Sequence, residues 1–230
     1  KEYASQRDAC AQSQLKMGDV FQRYATRDEV IRTYLSVIEN YPEQRQWMQP
    51  ARDRILELLT RDVRNDDERI SRYREIVGQY SRFALLAAAA QLRIADQLYQ
   101  NGEYRAAIRE YELVESLFPA LTEEVFASQM ASSRAYLKLG ENLAAFSQLQ
   151  TLYETYTSSR PDLAEQTRAA LLSALLASAD QLKDSRDYEL ALTRYRLARD
   201  YDLRNLHAHR GYIECMYYLK QIHNAEVEYD

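Results

Sequence analysis

Apolar residues recur at helical spacing along nearly the whole chain. The clearest stretch is Gln91 to Pro119, QLRIADQLYQNGEYRAAIREYELVESLFP. Ile94, Ala95 and Leu98 stand at i, i+1 and i+4, one face of a helix, with polar residues opposite. Asn101-Gly102 ends that helix, because glycine adopts the left-handed backbone that closes helices. Ala107, Tyr111 and Val114 then form a second apolar stripe, and Pro119 stops it. Two amphipathic helices joined by a tight turn predict an αα-hairpin.

The pattern returns at five other places. Met17, Gly18 and Phe21 are followed by Val30, Tyr34, Val37 and Pro42, with Thr26 and Glu29 spaced as a capping box. Ile55 and Leu59 go with Tyr73 and Ile76, and Tyr136 with Ala145, Leu149 and Leu152. Leu182 goes with Ala191, Tyr195 and Ala198, and Gly211, Tyr212 and Met216 with Ala225 and Tyr229. The predicted hairpins cover about 4–42, 48–81, 82–119, 122–158 and 160–203, with an incomplete one at 205–230.

This register resembles the tetratricopeptide repeat family. Its small residue at the helix crossing is matched by Gly18, Ala95, Ser133 and Ala179, and its second-helix alanine by Ala107, Ala145, Ala191 and Ala225. The aromatic four residues later is matched by Tyr34, Tyr73, Tyr111, Tyr195 and Tyr229, with Leu149 the departure. Pro42 and Pro119 keep the closing proline. The second copy fits worst, with Arg69 at a small-residue position and one extra residue in its turn. The resemblance implies an all-α, right-handed helical-hairpin solenoid, a single array over 1–230 with about five complete hairpins and a truncated sixth. It also implies a protein-binding scaffold.

The mid-helix positions 34, 73, 111, 149, 195 and 229 have a mean step of 39 residues. The family period is about 34, which places an extra turn at the start of several first helices. Ser159 and Pro161 suit the start of an uninterrupted helix running to about Ser185. Lengthened first helices resemble those of bacterial cell-envelope assembly lipoproteins. The last copy stops one residue after Tyr229, so the array is expected to continue in a longer parent protein or to be covered by another chain, including by self-association.

Composition narrows the chemistry. Five glycines and four prolines in 230 residues are too few for an all-β fold. A net charge of −5 argues against general nucleic-acid binding, and the basic cluster Arg194, Arg196, Arg199, Arg204 and Arg210 is diluted by Asp200 and Asp202. The longest apolar run, Phe83 to Ala90, falls short of the ~20 residues of a membrane span. There is no glycine-rich phosphate loop, and His207 and His209 fall on different helix faces. No enzyme, cofactor or metal is therefore expected. Cys10 and Cys215 read as small core residues. A start at Lys1 leaves the compartment open between bacterial periplasm and cytoplasm.

By resemblance, binding lies on the concave face of the first helices. One column there reads Asp19, Glu57, Asp96, Arg134, Asp180 and Glu214, and the column four residues earlier reads Leu15, Asp53, Leu92, Met130, Leu176 and Arg210. Carboxylates beside apolar pockets would suit a partner segment carrying Lys or Arg between apolar anchors. Asp19, Asp96 and Asp180 would repel the terminal carboxylate that chaperone-tail-binding members hold. Two other readings stand beside this one: a structural spacer or self-association module, and an interaction arm of an enzyme or sensor lying outside the segment.

Overall fold

The structure, a computed structural model, describes the backbone of residues 2–229 and the side chains of residues 5–220. Among the described residues there are eleven helices and no strand. The chain divides into two compact units, Lys1–Val125 and Phe126–Asp230. The first holds α1 (Glu2–Phe21), α2 (Arg27–Asn40), α3 (Arg45–Thr60), α4 (Asp66–Gln79), α5 (Ala84–Gln100), α6 (Tyr104–Leu117) and the first turn of α7 (Thr122–Lys138). The second holds the rest of α7, then α8 (Asn142–Thr157), α9 (Pro161–Asp184), α10 (Tyr188–Tyr201) and α11 (Leu206–Tyr229). Within each unit successive helices pack against one another as stacked hairpins, the all-α solenoid architecture that the register predicts.

Local chemistry sets the helix ends. Thr26 and Glu29 form the expected capping box: the Thr26 hydroxyl accepts from the Glu29 amide, and the Glu29 carboxylate accepts from the Thr26 amide at 2.9 Å. Asn65 caps α4 by accepting from the Glu68 amide at 2.9 Å. Pro161 occupies the first turn of α9, where its missing N–H costs nothing. Three first helices end in the same Schellman turn. The amides of Glu103, Glu141 and Asp187 reach back to the carbonyls of Leu98, Tyr136 and Leu182. The residue before each lies in the left-handed region: Gly102 at φ 82°, Gly140 at 74° and, after α9, Arg186 at 65°.

The cores follow the predicted columns. Tyr34, Ile55, Ile76, Leu86, Ile94, Leu149, Leu171, Leu175 and Tyr195 are among the largest fully buried side chains. The poorly fitting second copy finds its own solution. Arg69, standing where others have alanine, is half-buried and donates to Asp66 and to the buried Gln97 of α5, each at 3.4 Å. Glu124, 4% exposed, lies between Arg45 and Arg52 of α3, each at 3.4 Å.

Two expectations are corrected. The last copy does not turn back within the described backbone: α11 runs unbroken from Leu206 to Tyr229. Where α5 ends on Asn101-Gly102, α11 carries Leu219 and Lys220, and no glycine or proline follows Gly211. The side chains of Ala225 and Tyr229 lie outside the described residues. Cys215 is core as expected, but Cys10 is exposed on α1.

Candidate functional site

The predicted acidic column belongs to a repeated device. The Tyr34 hydroxyl donates to Asp19 Oδ1 at 2.7 Å, Tyr111 to Asp96 at 2.7 Å and Tyr195 to Asp180 at 2.5 Å. Each pair links the second helix of a hairpin to its first, fifteen residues apart in sequence. The rings lie so close to a neighbouring helix that only a small residue fits beneath them. A Cβ on Gly18 would stand 2.4 Å from the Tyr34 ring, and one on Gly211 2.3 Å from that of Tyr195. Burial, reinforced by the Asp19 carboxylate, pushes the Tyr34 hydroxyl up to about 12. Burial and Asp180 likewise push Tyr195 up.

The remaining members of the column behave differently. Leu149 replaces the tyrosine in the fourth hairpin, and the residue fifteen before it is Arg134, exposed and without an ion-pair partner among the described residues. The extra turn residue of the second copy puts Glu57 sixteen before Tyr73, and Glu57 is exposed. Asp19 also accepts from Arg54 Nε of α3 at 2.9 Å. In the apolar column Leu15 is buried, whereas Leu92, Met130 and Leu176 are half-buried. Met130 and Leu176 pack on the core of the second unit and so form its edge.

One groove gathers three residues of the two predicted columns, Asp180, Arg210 and Glu214. It lies between the first helices α9 and α11, holds about 450 Å³, and is walled by Asp180, Lys183, His207, Arg210 and Glu214, with Gly211 and Leu206 alongside. Its charges are arranged in two clusters. Asp180 Oδ1 accepts from Tyr195 and meets His207 Nε2 at 2.9 Å. Glu214 is held by Lys183 Nζ at 2.9 Å and Arg210 Nε at 2.7 Å. The hydrogen bonds from Arg210 and Lys183 hold the Glu214 carboxyl below its ordinary range, and Glu214 in turn raises Lys183. Such a wall can exchange ion pairs with a charged partner. Among the described residues no group of His, Cys, Asp and Glu could hold a metal ion, and no helix is long and apolar enough to cross a membrane. The residues sequence reasoning missed here are Lys183 and His207. The fifteen-residue Asp–Tyr spacing was the one signal in the sequence that ties the column to the tyrosines.

The repeated hairpin, its register and the small residues under the tyrosine rings define an all-α array of stacked helical hairpins. No protein-family model matches the chain, and no curated protein matches it. Among solved structures it is similar to the tetratricopeptide domain of P58(IPK), at 15% identity and a TM-score of 0.39, over 92% of this chain and 56% of that one. This chain thus spans little more than half of that relative. It is also similar to the nearly identical TPR-like repeats of a putative kinesin light chain of Podosopora anserina, at 14% identity and a TM-score of 0.36, over 86% of this chain and 98% of that one. A Q17M form of those repeats gives 14% identity and 0.34, over 84% and 95%.

Proposed function

We propose that the chain is a non-catalytic protein-interaction scaffold that holds a segment of a partner protein against its first helices, in the groove between α9 and α11. The observation that carries this reading is the groove itself, which is concave, two-signed in charge and bordered by Leu206, 83% exposed. A partner lysine or arginine would lie between Asp180 and Glu214, with an apolar neighbour on Leu206. The test is photo-crosslinking from position 210, compared with position 189 on α10, in a cell extract. A discrete partner joined from position 210, absent from position 189 and lost with Leu206→Asp, supports the groove. Equal crosslinking from both positions refutes it.

A second reading, self-association, is favoured by a different observation. On α11 Ile213 is 65% exposed, whereas its counterparts Ala95 and Ala179 are fully buried under their own second helices. Sedimentation velocity over a range of concentrations, repeated with Ile213→Glu, tests it. Loss of a larger species in the variant supports self-association, and a constant monomer refutes it.

A further inference from the structure

The second unit carries another depression, on the edge where its hairpin turns lie. The first turns of α8 and α10 stand over the C-terminal half of α9 and enclose a slot of about 270 Å³. Leu143, Leu182 and Leu190 form its apolar walls, and Arg194 closes one side. Leu143 and Leu190 are 55% and 54% exposed. Both break the polarity of their repeat positions. Leu143 stands where the other complete hairpins have Asp28, Asp67, Arg105 and Glu189, and Leu190 where they have Glu29, Glu68, Ala106 and Ala144. Two exposed leucines converging on one slot from positions that are charged or small elsewhere mark this edge as different from the rest of the array.

The hydroxyl protons of the slot are already used by carbonyls of α9. The Ser178 hydroxyl donates to the Leu175 carbonyl at 2.8 Å, and the Ser185 hydroxyl to that of Gln181 at 2.9 Å. The Gln181 side-chain oxygen accepts from Asn142 at 3.2 Å. Two donors are left over, the Gln181 amide NH2 and the Arg194 guanidinium, which lies over the Phe146 ring at 4.5 Å and has no carboxylate partner among the described residues. Burial lowers the proton affinity of that guanidinium. An apolar slot rimmed by a half-buried, uncompensated cation and a free amide donor is complementary to an apolar group beside an anion.

We propose that this slot is a second docking site, distinct from the α9–α11 groove, for a partner protein segment in which a leucine-like side chain stands beside an aspartate or glutamate. The apolar side chain fills the space among Leu143, Leu182 and Leu190, and the carboxylate accepts from Arg194 and Gln181.

Methyl NMR on leucine-labelled protein tests it, with the acetylated and amidated peptide Gly-Leu-Glu-Gly as probe. Saturating shifts are expected at Leu143, Leu182 and Leu190. Gly-Leu-Gln-Gly should bind roughly tenfold more weakly, the factor for one charge-assisted hydrogen bond, and Gly-Ala-Glu-Gly should be weaker too. Arg194→Gln should erase the Glu/Gln difference, and Leu190→Asp, at an exposed position, should abolish the shifts while leaving the melting temperature unchanged. Equal binding of the Glu and Gln peptides overturns the proposal, as does the absence of methyl shifts at millimolar peptide. Hexanoate binding as tightly as the peptide also overturns it, in favour of a small aliphatic carboxylate.

Discussion

Gly18, Gly78 and Gly211 all lie within helices, yet the same substitution should act on them in opposite directions. Consider Gly211→Ala. The new Cβ would meet Cζ, Cε1 and Cε2 of Tyr195 at 2.3 to 2.7 Å, against an ordinary carbon contact of about 3.5–4.0 Å. The ring must retreat by more than about 1 Å. It has little room, being fully buried with its hydroxyl on Asp180 at 2.5 Å. Overpacking costs about 1–3 kcal/mol and this geometry belongs at the upper end, while helix propensity returns about 0.5–1 kcal/mol. The net loss is about 2 kcal/mol, or roughly 4–8 °C in melting temperature for a chain of this size. Gly78→Ala meets nothing within 4 Å and should raise the melting temperature by roughly 1–4 °C. Circular dichroism melts of both variants decide the matter. A double-mutant cycle sharpens it: in a Tyr195→Leu background the alanine at 211 should no longer destabilise. Gly211→Ala melting at or above the parent would refute the packing argument.

Three further outcomes follow from the same geometry. Arg186→Gly should stabilise by about 0.5–1 kcal/mol in a urea titration, because the left-handed backbone at φ 65° strains any residue with a Cβ; an unchanged midpoint would show no strain there. Tyr111→Phe should cost about 1–2 kcal/mol, the worth of its hydrogen bond to Asp96, and Tyr111→Ala about 3–5 kcal/mol. A Tyr111→Phe variant as stable as the parent would free Asp96 for ligand contact. Ultraviolet titration should find Tyr34 ionising near 12 rather than at its ordinary value near 10. Because the folded state favours the neutral phenol, its contribution is complete below pH 10 and is lost as pH rises through about 12. Ionisation at the ordinary value would contradict the pairing with Asp19.

Much of the hairpin array is legible in the sequence because its signals are local. The stripe Ile94, Ala95, Leu98, the stop at Gly102 and the capping box at Thr26 act within one or two turns of their own helix, and the structure places each as read. The end of the array departs from its register for a complementary reason. Ala225 and Tyr229 satisfy the repeat register, but Leu219 and Lys220 provide no helix stop, and a backbone with no reason to break continues. The acidic column was visible as a column, but its hydrogen bonds depend on how two antiparallel helices align across a turn. The two-signed wall of the groove was harder still, since it needs Lys183 to cross from α9 to Glu214 on α11. Exposure of Cys10 likewise depends on packing that a lone residue type does not encode.

The fifteen-residue tyrosine–aspartate link makes two distant letters of the chain answer to one another. In the hairpins that have it, the residue on the first helix is tied to its own tyrosine, and altering it disturbs the hairpin as well as any ligand it meets. Where Leu149 stands in place of the tyrosine, position 134 is released and carries an exposed arginine. The fourth hairpin is therefore a place in this column where the character of the outer surface can be rewritten, from cation to anion to apolar, without unfastening the helices beneath it.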